Sequence, residues 1–159
     1  MRARLSRPFD RAAGAGLAAF LFIVFVDLGT KGYADFTTDS GFVVFNHTRS
    51  GDLPQRVGMS LLAVAVMYAL ALGAYRLRIG RLWGGWIGVG LLTGGVLSNG
   101  LSYLIWSGGV PDFIRPGGDF VWNIADFAIG LGLSGGVIAI AGAAAIAFVR
   151  ERLHAAPAS

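Results

Sequence analysis

The sequence contains no cysteine, which excludes a disulfide framework, a thiolate nucleophile and a zinc–thiolate centre. Two histidines are too few for a multi-histidine metal site, so no metal or other cofactor is expected. Charge is scarce as well: only 14% of the 159 residues are charged, against 55% hydrophobic. A soluble domain carries roughly 25% charged residues, and here the mean hydropathy is positive, so the chain reads as a membrane protein. Any chemistry must come from carboxylates, hydroxyls, amides or cations. The net charge of +4 could point to nucleic acid, but the arginines flank apolar runs instead of lining one face. Membrane lipids, not nucleic acid, are the expected surroundings.

A helix rises about 1.5 Å per residue, so crossing about 30 Å of hydrocarbon takes roughly 20 mostly apolar residues. Four segments qualify, at about 12–33, 57–75, 82–106 and 126–149. They predict an all-α integral membrane protein, one four-span domain over 1–159. The arginine-rich start before an apolar run also resembles a secretory signal. Three further spans, and Asp27 and Lys31 where a cleavage region would want small neutral residues, favour a retained helix.

Nine of the thirteen basic residues (Arg2, Arg4, Arg7, Arg11, Arg76, Arg78, Arg81, Arg150 and Arg152) fall on one side of these spans. Lys31, Arg49, Arg56 and Arg115 remain for the other. The positive-inside rule makes the first side cytoplasmic, with both termini there. Seven of the nine acids (Asp27, Asp35, Asp39, Asp52, Asp112, Asp119 and Asp126) lie at the outer ends or in the outer loops. Carboxylate chemistry would therefore work at the outer membrane boundary.

The outer segment 34–56 carries the β-branched and aromatic stretches Phe36-Thr37-Thr38 and Phe42-Val43-Val44-Phe45 around the turn signal Asp39-Ser40-Gly41. It predicts a short periplasmic hairpin. Asp27 and Lys31, at i and i+4, can pair. Asn99, a lone amide in an apolar span, should point into the bundle. Asn123 and Asp126, three apart, share one face at the start of the fourth helix. Asp112 is an acid set among apolar neighbours. Gly84, Gly85, Gly88, Gly90, Gly94-Gly95 and Gly130, Gly132, Gly135, Gly136 supply small faces for helix packing. Trp83, Trp86, Trp106 and Trp122, near span ends, suit interfacial anchoring.

In this order the residues resemble the bacterial lipoprotein signal peptidases, the type II signal peptidase family. The family's first-span aspartate and lysine are similar to Asp27 and Lys31, and its outer-loop asparagine to Asn46. Its Gly-Gly-x-x-x-Asn run is matched by Gly94-Gly95-Val96-Leu97-Ser98-Asn99, its Val-x-Asp-Phe-Ile motif by Val110-Pro111-Asp112-Phe113-Ile114, and its Asn-x-Ala-Asp-x-x-Ile motif by Asn123-Ile124-Ala125-Asp126-Phe127-Ala128-Ile129. The chain departs from the pattern where Ser102-Tyr103 replaces an Asp-Arg pair and Thr48 replaces a glycine, with one extra residue before Asp112.

The resemblance implies an aspartic endopeptidase of the bacterial inner membrane, acting as a monomer on diacylglyceryl-modified prolipoproteins and cutting before the lipidated cysteine. Asp112 and Asp126 would be the catalytic pair, and Asn99, Asn123, Asn46, Asp27 and Lys31 would support them. With the family arginine absent, Arg115 is the first candidate to replace its cation and Arg49 the second; Arg56 is expected to be a solvated or headgroup contact. Two other readings stay open: a peptidase-like relative with another substrate, and a non-catalytic scaffold or proton-linked transporter. A transporter would place its ionisable groups near mid-membrane, whereas the only strongly polar residue at depth is Asn99.

Overall fold

The computed structural model describes residues 6–37, 42–46, 53–77, 83–115, 117 and 120–155. Four helices stand where the spans are expected: α1 (Ser6–Thr37), α2 (Leu53–Arg76), α3 (Trp83–Ile105) and α4 (Ile124–Ala155). Each is long and apolar enough to cross a membrane. Large apolar side chains such as Phe25, Leu62 and Ile138 point outward, as they can where the surrounding solvent is lipid.

The bundle is organised around α3, which packs along both α1 and α4, while α2 lies against α3 and α4. Adjacent glycines make this possible, because successive helix positions face about 100° apart and so address different neighbours. A Cβ on Gly94 would lie 2.9 Å from the Phe20 carbonyl oxygen of α1, and one on Gly95 would lie 2.6 Å from the Ala125 carbonyl oxygen of α4. Further down, Gly90 meets the backbone of Gly16, and a Cβ on Gly88 would lie 2.6 Å from Gly136 Cα. Lipid tails give helices no hydrophobic reason to associate, so such backbone-close contacts carry much of the cohesion. Trp86 departs from the interfacial role its position suggested. It is buried against Ala12, Ala71 and Ala74, with Tyr68 edge-on at 5.6 Å, because the small residues around it leave room for an indole.

A two-stranded antiparallel sheet is present, but it is not a local hairpin. Residues Phe36 and Thr37 continue α1, where the helix already satisfies their backbone, and the turn residues 39–41 lie outside the described residues. Strand β1 (Val44–Asn46) instead pairs with β2 (Val110–Asp112) from the segment between α3 and α4, with Val44 opposite Asp112, Phe45 opposite Pro111 and Asn46 opposite Val110. Two glycines after α3 prepare this pairing. Gly109 adopts φ 103°, which L side chains rarely reach, and turns the chain into β2. Gly108 leaves space for the Phe45 ring, whose Cδ1 would sit 3.0 Å from any Cβ placed there.

Ile114 and Trp122 exchange backbone hydrogen bonds of 2.8 and 2.9 Å, and the Phe113 N–H donates to the Trp122 carbonyl at 3.0 Å. This closure returns Asn123 to the neighbourhood of Asp112 just as α4 begins.

Candidate active site

Asn123 stands at the start of α4 and forms a reciprocal cap with Asp126. Its Oδ1 accepts the Asp126 N–H at 3.1 Å, and Asp126 Oδ2 accepts the Asn123 N–H at 3.0 Å. With Oδ1 committed to a backbone donor, the amide nitrogen of Asn123 is directed away from Asp126. It donates to Asp112 Oδ1 at 2.6 Å. One asparagine thus holds both carboxylates, one through its backbone and one through its side chain. Asn46, at the end of β1, donates to the other Asp112 oxygen at 3.2 Å.

Asp126 Oδ1 accepts from Asn99 Nδ2 at 3.0 Å. Asn99 is oriented in turn by Lys31, whose ammonium can only donate and does so to Asn99 Oδ1 at 2.7 Å. The remaining Lys31 donors go to Asp27 Oδ2 at 2.6 Å and Ser102 Oγ at 3.0 Å. Both Asp27 and Lys31 are fully buried, which a charged pair tolerates only when its remaining sites are filled. They are: Asp27 also accepts from Ser98 Oγ at 2.6 Å and from the Ala125 N–H at 2.8 Å, and Ser102 Oγ donates onward to the Ser98 carbonyl at 2.8 Å. The Ala125 bond needs α1 and α4 close together, which the Gly94-Gly95 pair of α3 allows. Helix packing and site geometry are the same contact seen twice.

Asp112 is 3% exposed and Asn123 1%. Burial raises the Asp112 carboxyl to about 6; the Asn123 hydrogen bond opposes this, the charge of Asp126 adds to it, and the Asn46 bond and the charge of Lys31 oppose it. A cavity of about 580 Å3 opens beside Asp112, with Asn46, Asn99 and Asn123 also among its lining residues and apolar side chains such as Val57, Leu61, Leu97 and Ile129 making up most of the rest. Among the described residues no cluster of three or more His, Asp or Glu side chains could hold a metal ion.

A family model described as Signal peptidase (SPase) II matches residues 19–142. The chain belongs to the signal peptidase II family. It is a multi-pass membrane protein of a peptidase family, and the matched stretch contains every residue of the network just described. No curated protein and no solved structure matches it.

Seven of the nine site residues named from the sequence meet in one network: Asp112, Asp126, Asn99, Asn123, Asn46, Asp27 and Lys31. Arg49 lies outside the described residues. Arg115 is exposed in the segment after β2 and does not line the cavity. Arg56 does line it, as does Tyr103. Sequence reading also passed over Ser98 and treated Ser102 only as a departure from the family pattern. Their signal was present, since Ser98 and Ser102 are four apart on α3, as Asp27 and Lys31 are on α1, and two such polar faces in apolar spans satisfy each other.

Proposed function

We propose that the chain is an aspartic endopeptidase that removes signal peptides from diacylglyceryl-modified prolipoproteins, cutting on the amino side of the lipidated cysteine. The observation that carries this reading is the shared hold of Asn123 on Asp112 and Asp126. Two carboxyl groups in mutual influence do not readily both ionise, so one proton serves the pair. The ionised member takes a proton from a water molecule as that water attacks the scissile carbonyl carbon. The protonated member supplies a proton to the carbonyl oxygen, giving a tetrahedral diol; the proton taken from water then passes to the nitrogen, the diol returns a proton to the other carboxylate as the C–N bond breaks, and the amine of the lipidated cysteine is released. Asn99, Asn123 and Asn46 fix the carboxylates, with Lys31 and Asp27 behind Asn99. A largely apolar cavity suits a substrate bearing acyl chains.

The test is cleavage of a synthetic peptide carrying a diacylglyceryl-cysteine by the purified full chain, with the cut site read by mass spectrometry. Products that begin with the lipidated cysteine are expected; no cleavage, or a cut elsewhere, overturns the reading. The pH profile adds a signature. A raised folded-state pKa means that Asp112 keeps its proton up to about pH 6, so kcat/KM is expected to fall as pH rises through that range and the pair loses its last proton. Asn46→Ala removes a hydrogen bond that favours the ionised form and should move this limb to higher pH. A limb that stays in place would disconnect Asn46 from the titrating pair.

The distribution of arginines supports a bacterial inner-membrane location with both termini and the Arg76–Arg81 loop in the cytoplasm and the active site facing the periplasm. Reporter fusions in residues 38–52 and 116–119 are expected to report a periplasmic location. A cytoplasmic signal from either would reverse the topology and place the aspartates on the wrong side for a lipid-anchored exported substrate.

A further inference from the structure

The cavity has a wall that the aspartate network does not explain. Arg56 reaches it from α2 and Tyr103 from α3, with Asp112 and Asn123 lining the same space. Arg56 is the fourth residue of α2, near the positive end of the helix dipole, where a cation is disfavoured. Among the charges that shift the Asp112 carboxyl are those of Asp126 and Lys31. The asparagine amides nearest the carboxylates are already directed, Asn123 and Asn46 to Asp112 and Asn99 to Asp126. A peptide entering this space brings carbonyl oxygens that need donors. Guanidinium offers five in a planar fork and accepts none, and the tyrosine hydroxyl adds one more.

We propose that Arg56 and Tyr103, from facing helices, clamp the main chain of the substrate peptide, Arg56 donating to its carbonyl oxygens and Tyr103 closing the opposite side. The clamp rests on the peptidase reading above. Its position favours the peptide over a phospholipid headgroup, since the guanidinium shares its cavity with Asp112, where the scissile bond must lie. Arg56 is thus a positioning residue that binds ground state and transition state alike, which affects KM and leaves kcat nearly unchanged.

The experiment uses the full chain in detergent free of anionic lipid and the diacylglyceryl-cysteine peptide. Arg56→Ala is expected to raise KM by about tenfold or more, the scale of one lost charge-assisted hydrogen bond, with kcat little altered. Arg56→Lys should recover part of the loss, because a point charge replaces the fork. Arg56→Ala combined with Tyr103→Arg, which returns a guanidinium from the facing wall, should recover more, and a merely structural role for Arg56 would show no such rescue. If wild type does not cleave, the peptidase reading falls and the clamp with it. If wild type cleaves and Arg56→Ala keeps its KM, or Arg115→Ala raises KM more than Arg56→Ala does, the clamp alone is overturned. A KM loss that appears only in vesicles containing phosphatidylglycerol also overturns it and assigns Arg56 to lipid phosphate.

Discussion

Asp112→Asn and Asp126→Asn are each expected to lower kcat on a lipidated peptide by about 10²-fold or more, the usual scale for a lost general acid or base. The two variants should nevertheless differ in stability, because their hydrogen-bond surroundings are not equally adaptable. At position 112 the new amide can turn its oxygen toward Asn123 Nδ2 and its nitrogen toward Asn46. The Asn46 side chain, on an exposed strand end, can then rotate to present its oxygen. At position 126 neither donor can adapt. Asn99 is held by Lys31, and the other donor is the backbone N–H of Asn123. An amide there sets two donors against each other. Asp126→Asn should therefore unfold at a lower temperature in detergent than Asp112→Asn, although both are inactive. Circular dichroism melts beside the cleavage assay separate the two effects. Full activity in either variant would remove the aspartate pair as the catalytic centre.

The number of helices and their order along the chain were legible because lipid leaves a backbone few alternatives: apolar runs of sufficient length become helices that satisfy their own hydrogen bonds, although α1 (Ser6–Thr37) and α4 (Ile124–Ala155) run several residues beyond the apolar stretches. The sheet was legible as two short extended stretches but not in its pairing. Val44-Phe45 looks equally ready to pair with a neighbour in its own loop, and what decides for Val110–Asp112 is the space over Gly108 and the turn at Gly109, contacts between segments more than sixty residues apart. The site divided in the same way. Asp112, Asn123 and Asp126 stand in short motifs whose spacing already implies one helix start. That Arg56 lines the cavity was not legible, because nothing in its neighbours indicates that the first turn of α2 borders it. Ser102 looked like a loss, but its hydroxyl still receives a Lys31 hydrogen bond, and replacing both members of an Asp-Arg pair by neutral residues leaves the net charge of the site as it was.

Lys31→Met is expected to be the most damaging single change outside the proposed catalytic pair. Lys31 and Asp27 are fully buried and 2.6 Å apart, and removing one partner of a buried ion pair costs about 3–5 kcal/mol, since the other charge stays behind without compensation. The damage also reaches the chemistry, because Lys31 fixes the amide of Asn99 and Asn99 fixes Asp126. A second substitution separates these consequences. Asp27→Asn in the Lys31→Met background removes the stranded charge and keeps an oxygen to accept the Ala125 N–H. Thermal stability in detergent should recover substantially, whereas cleavage should not, because nothing then holds Asn99 Oδ1 and the amide can turn away from Asp126. If activity returned together with stability, Lys31 would be only a countercharge to Asp27, and the orientation of Asn99 would have to come from Asp126 itself.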